Sequence, residues 1–219
     1  MTRQSITRRF YHITVGSLLV ASSMSLSCRP RSDATSSASD LDGTWTSTCR
    51  SRTDQLGTAY FEKNTLVFVG SNMTSSLRSY ADAECQKELN DKPILSSVSS
   101  FTVGDFVQGA GGAKKFNRQT IRLSMTLTTD AWVTLYNGTS KSPPVCGGGF
   151  VKNQPKELTA ESCASTDSLR TEFAMEYDIY KVADKILYFG FMGTKGSNSD
   201  GRAESSRPTA LDPAYFTKS

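Results

Sequence analysis

The sequence predicts an all-β fold of short antiparallel strands, and three observations carry that reading. Apolar and polar residues alternate with period two in several runs, most regularly over Gln119–Leu127. Short polar connections such as Thr129-Asp130, Asn137-Gly138 and Asp184-Lys185 join the runs, and connections of that length suit antiparallel neighbours. No long stretch with a 3.6-residue apolar period stands beside them. About eight strands result. Their economical closures are a barrel or a two-layer sandwich, because closure removes the edges that short strands otherwise expose.

The 219 residues are enough for one domain with a real core, and 37% hydrophobic with 21% charged residues describes an ordinary globular composition. Residues 1–27 read as an export signal. A basic start ending at Arg8-Arg9 leads into the apolar run Ile13–Val20 and then small residues up to Ser27. That run is shorter than the ~20 residues a spanning helix needs. Of the 25 basic residues, Arg3, Arg8 and Arg9 lie in this leader, leaving 22 against 21 acidic residues in 28–219. A balance so close to neutral gives no reason to expect nucleic acid as a partner.

Cys28 follows Met24-Ser25-Leu26-Ser27, which resembles the lipobox of bacterial lipoproteins, although Ser25 stands where that family usually has Leu, Val or Ile. The resemblance implies lipidation of Cys28, attachment to the membrane through that lipid alone, and, with Arg29 next, sorting to the periplasmic face of the outer membrane. Residues 28–41 are rich in Ser, Ala and Asp and offer little to bury, so they read as a tether. The folded domain is then expected over 42–219. Its four cysteines, Cys49, Cys85, Cys146 and Cys163, suggest two disulfides in an oxidising compartment. Three connectivities are possible, and nearest neighbours, Cys49–Cys85 and Cys146–Cys163, are the expected pairs. No metal site is expected, because no Cys-x-x-Cys or Cys/His spacing exists.

The strands are expected in order. Thr44–Cys49 is Thr-rich and extended. Ala59–Phe61 and Thr65–Val69 flank Lys63-Asn64, a turn or bulge. Ser76–Ala81, Val98–Val103 and Gln119–Leu127 follow. Ala131–Tyr136 is read as a strand ending in Asn137-Gly138, a pair suited to a type I′ turn. Ser142–Ser168 is loop-like, with Pro143-Pro144 and Gly147-Gly148-Gly149. Glu172–Lys181 alternates again, with Phe173, Met175, Tyr177 and Ile179 on the apolar face and Glu176 and Asp178 on the solvated one. Ile186–Met192 is apolar on both faces, and Pro208–Ser219 reads as a C-terminal extension.

Gly43-Thr44-Trp45 resembles the Gly-x-Trp motif that opens the first strand of lipocalins and related calycin barrels. The resemblance implies an eight-stranded, antiparallel, up-and-down barrel, with Gly43 and Trp45 at its closed end. It extends over about the first 45 residues of the domain, where Tyr80-Ala81-Asp82-x-x-Cys85 accompanies Trp45 and Cys49. That family also has an arginine near the last strand that covers the tryptophan, a part Arg202 or Arg207 could take, and a Thr-Asp motif that Thr166-Asp167 could supply.

Catalytic chemistry is not expected. His12 is the chain's one histidine and lies in the leader, so Ser-His-Asp and Cys-His sites are excluded from the domain. Gly109–Lys115 lacks the spacing of a phosphate loop and reads as a loop between strands. No cofactor is implied. Leu123, Met125, Phe173, Met175, Tyr177 and Phe189 are expected to point inward, where they would either fill the barrel or line a pocket for a small hydrophobic molecule, with Tyr177 or Arg122 supplying polarity. The expected function is accordingly small-ligand binding in the cell envelope. The alternative is an interaction module with a filled barrel, meeting a protein partner through the loops around Cys146–Cys163 and Gly109–Lys115.

Overall fold

A computed structural model of the chain describes residues 40–53, 58–138, 143–163, 171–194 and 197–219. The leader, Cys28, the tether up to residue 39 and Thr166-Asp167 lie outside the described residues. Among the described residues ten strands make one sheet: β1 (Gly43–Ser47), β2 (Arg50–Thr53), β3 (Ala59–Val69), β4 (Asn72–Tyr80), β5 (Ile94–Phe106), β6 (Lys114–Thr126), β7 (Pro155–Leu158), β8 (Met175–Ala183), β9 (Ile186–Gly190) and β10 (Leu211–Lys218). Each pairs antiparallel with its neighbours, and the sheet closes through β1, which pairs both β10 and β3. The result is a closed eight-stranded barrel with up-and-down connectivity. β2 continues β1 along β3 after a kink at Thr48-Cys49, and β7 covers the second half of β6 where β8 has left it.

Several elements differ from the sequence reading. β3 runs unbroken through Lys63-Asn64, because Asn64 turns inward and its Oδ1 accepts a hydrogen bond from Ser75 Oγ at 3.0 Å. An interior polar residue had the look of a turn. Ala131–Tyr136 is not a strand. It belongs to the helix α1 (Asp130–Asn137), whose N-cap Thr129 accepts a hydrogen bond from Trp132 N–H and whose first turn carries Asp130. Trp132, Val133 and Tyr136 lie on the face that packs against the barrel, while Leu135 faces out. A six-residue apolar-rich run fits either period, so only packing decides it. Gly138 then caps the helix at φ 80° rather than turning a hairpin. Residues 208–219 are no extension. β10 is the stave that closes the barrel, and the irregular register between Leu211 and Tyr215, around Pro213, hides its alternation.

Two apolar clusters occupy opposite ends. At one end Leu41, Trp45, Phe68, Met73, Phe101, Phe116, Tyr180, Leu187 and Phe216 fill the interior. Phe116 is central, with Phe101 stacked at 5.3 Å and Phe189 edge-on at 5.4 Å. Trp45 is fully buried and its Nε1–H donates to Leu41 O at 2.6 Å. Asp40, beside it, accepts from Lys114 Nζ and Tyr180 OH, so residues 40–41, read as the end of the tether, already plug this end. Gly43 takes φ +117°, and a side chain there would press on Lys218 Cε at 3.0 Å. The cation over Trp45 is Lys218, with Nζ 5.1 Å from the ring, and neither Arg202 nor Arg207. Arg207 is buried elsewhere. It donates to Phe116 O, Asp178 O and Asn117 Oδ1 and covers Tyr177 at 5.5 Å.

At the other end, α1, Val145, Cys146, Phe150, Cys163 and Phe173 pack with Leu123, Met125, Leu127 and Leu158 into a second cluster. The Cys146–Cys163 disulfide sits in this cluster, and Asn137 clamps it by accepting from Phe150 N–H (2.7 Å) and donating to Phe150 O (2.8 Å). The Cys49–Cys85 disulfide pins the β1–β2 kink to the β4–β5 connection. Both pairings are the expected ones. No helix among the described residues is long and apolar enough to cross a membrane.

Candidate functional site

Between the two apolar ends the barrel wall turns polar toward its own interior. Alternation continues through β6 from Phe116, which belongs to the aromatic floor, so Arg118 and Thr120 point the same way. Arg118 lies directly opposite Glu176 on β8, and Nη2 reaches Oε2 at 2.6 Å. Thr120 Oγ1 meets Ser99 Oγ at 3.3 Å across β5. On the facing wall stand Asn64 and Ser75. Two cavities open in this belt. One, about 190 Å³, has Leu66, Met73, Phe116, Phe189 and Phe216 for its floor, with Arg50, Asn64, Arg118, Glu176, Asp178 and Asp212 above. The second, about 280 Å³, lies toward the other end among Ser75, Leu77, Leu95, Ser97, Thr120, Leu123 and Glu172. Asn64 and Arg118 line both.

Burial and mutual charge set the electrostatics. Burial opposes the charge on Arg118, but Glu176 beside it, with Glu172 and Asp178, more than offsets this and holds its pKa above the ordinary arginine value. Asp178 is 5% exposed. Burial, and then the charge of Glu176, push its carboxyl up to about 7, against the pull of the Ile179 and Gly190 N–H groups and of Arg118. Those two N–H groups both donate to Asp178 Oδ1, at 2.6 and 3.0 Å. Glu172, which lines the second cavity, is also shifted upward, by desolvation that Arg118 counteracts.

Neither a protein-family model nor a curated protein matches this chain. Its site is therefore defined by its own geometry.

The residues expected to line a pocket separate into three groups. Leu123 and Phe189 do line the cavities. Met125 and Phe173 are packed into the second apolar cluster. Met175 is exposed, and Tyr177 faces outward under the Arg207 guanidinium. The faces of β8 are thus the reverse of the expectation. Glu176 and Asp178 look inward, and Ile179 is buried on the outer side beneath Ala110, Ala113 and Leu211. Alternation shows that a strand has two faces; it does not say which one the barrel encloses. Arg122 likewise lies outside, in a surface groove with Ser96, Ser124 and Glu157. A bulge causes this, since Val98 opposes Arg122 while Ser99 opposes Thr120, and Ile121 is displaced outward, 56% exposed.

Arg50, Arg118 and Asp212 escaped the sequence reading, and Asn64 entered it only as part of a turn or bulge. The one available signal was Phe116-x-Arg118-x-Thr120, which placed an arginine in phase with a phenylalanine. Starting the strand at Gln119 removed it from view.

Proposed function

We propose that the chain is an exported, lipid-anchored binding protein whose lipocalin-like barrel holds a small molecule in the interior belt above the aromatic floor. The observation that carries this reading is the division of the interior. Aromatic side chains pack one end solid, whereas adjoining cavities of about 190 and 280 Å³ share Asn64 and Arg118 above it. Interiors of eight-stranded barrels either fill with side chains or hold one small ligand, and this one does each in a different half. The volumes suit a molecule smaller than a drug-sized ligand, one with an apolar portion against Phe116, Phe189 and Phe216 and polar groups that reach Asn64 and Arg118. Lipocalin-like character is supported by the strand order, by Trp45 at the plugged end, and by a cation from the last strand over its ring, here Lys218. Export and anchoring rest on the leader, on Cys28 with residues 28–39 as a tether, and on two disulfides in the domain. Binding rather than catalysis is proposed because the domain contains no histidine and no marked nucleophile.

Native mass spectrometry on detergent-free protein tests the binding reading. A retained or loadable small molecule is expected, and a barrel that takes none would support the interaction module instead. Substituting Cys28→Ser tests the anchor by releasing the protein into the soluble periplasm. Unchanged membrane fractionation would refute lipidation.

A further inference from the structure

We infer that the molecule held in the interior belt is an organic anion, an apolar body with a carboxylate or phosphate head, and that Arg50 and Arg118 bind the head. The inference rests on the binding reading above and adds the sign of the ligand's charge. Both arginines line the cavity of about 190 Å³. Each has a buried Nε–H that meets no hydrogen-bond acceptor among the described residues. Arg118 spends one nitrogen, Nη2, on Glu176, and the Arg50 guanidinium has no ion pair or hydrogen bond among the described residues. Buried donors without acceptors are uncommon in folded proteins, because each forfeits its bonds to water. Two of them on one cavity define what is missing there, namely an acceptor, and guanidinium forks suit planar or tetrahedral oxyanions.

The carboxylates of the same cavity leave no comparable demand for a cation. Glu176 is paired with Arg118, Asp178 Oδ1 accepts two backbone N–H bonds, and Asp212 Oδ1 accepts one from Ala214 at 2.8 Å. Asp178 also carries only part of its charge near neutral pH, so it opposes an anion less than its position suggests. Unmet capacity lies on the donor side. The floor of Leu66, Met73, Phe116 and Phe216 provides for the apolar body.

Three probes that differ only in the head group test this by titration calorimetry on the full chain with its disulfides intact: hexanoate, hexan-1-ol and hexylammonium. Hexanoate is expected to bind about tenfold more tightly than either of the others, the ratio that one charge-assisted hydrogen bond supplies. Arg50→Gln is expected to weaken hexanoate by a similar factor and to weaken hexan-1-ol, a neutral acceptor, less. Arg50 is the residue to vary because its loss orphans no partner. Should that variant fail to fold, Arg118→Lys, which keeps the charge and loses the Nε donor, reads the same loss. Hexan-1-ol or hexylammonium binding as tightly as hexanoate would overturn the anionic ligand and leave the binding reading standing. Hexanoate binding that neither arginine affects would overturn the assignment of the head-group site. Failure of all three probes at millimolar concentration would overturn the binding reading and this inference together.

Discussion

Replacing Asp178 with asparagine changes how the stability of the barrel depends on pH, and the structure gives both sign and size. The carboxyl is 5% exposed, stands beside Glu176, and has its pKa raised from 3.8 to about 7. In the unfolded chain it is ionised above about pH 4. The folded state therefore keeps a proton that the unfolded state has released, and stability falls as pH rises until the folded carboxyl also ionises near 7. Between pH 5 and 8 about two pH units of that difference apply, or about 3 kcal/mol at about 1.36 kcal/mol per unit. An asparagine side chain would keep an Oδ1 acceptor for the N–H groups of Ile179 and Gly190 and would have no proton to lose. Urea unfolding at pH 5, 6, 7 and 8, with disulfides intact, measures the result. Asp178→Asn should gain about 3 kcal/mol on wild type across the series, with most of the change before pH 7. A difference that stays constant with pH, or that moves in favour of wild type, would refute an inward, desolvated Asp178.

Three further outcomes are expected. Trp45→Phe loses the hydrogen bond to Leu41 O and the contact with Lys218. It should cost about 1–3 kcal/mol in denaturant unfolding followed through Trp132, the other tryptophan. Gly190→Ala places a methyl group against Asp178 Oδ1 and within 2.7 Å of Pro208 Cβ, so it should destabilise by about 1–3 kcal/mol in thermal unfolding and loosen the β9–β10 connection. The disulfides join residues 17 and 36 apart. Loop entropy then predicts losses of about 3 kcal/mol for the Cys146/Cys163 double-serine variant and about 4 for Cys49/Cys85, an order that urea unfolding of the two would check.

The sequence was informative where a residue's chemistry left few alternatives, and silent where two arrangements satisfy the same pattern. The resemblance to the Gly-x-Trp motif placed Trp45 and Gly43 at the closed end, and the structure has a fully buried indole and a glycine at φ +117° there. An even number of cysteines pointed to two disulfides but left three connectivities open, and the structure joins the nearest neighbours. Asn64 misled, and Arg118 went unread, for one shared reason: both are polar residues on inward faces, where local polarity points to a turn or to solvent. Inside this barrel they face each other across a cavity, and no local pattern encodes that. Ile121 misled in the opposite sense. Its place in a regular alternation was overridden by a bulge that only the register against Val98 and Ser99 reveals.

Local sequence features established an all-β domain of short antiparallel strands, with Trp45 near its start and four cysteines enough for two disulfides. These follow from alternation, turn chemistry and residue size, which act over a few neighbouring positions. Only the tertiary structure decided which face of β8 is enclosed, that residues 130–137 are helical, that residues 211–218 close the barrel, and that two arginines meet a cavity where no described residue accepts from their Nε–H groups. Each of these depends on what lies across the barrel, residues tens of positions away along the chain. Burial there turns the same alternation into either a wall or a site.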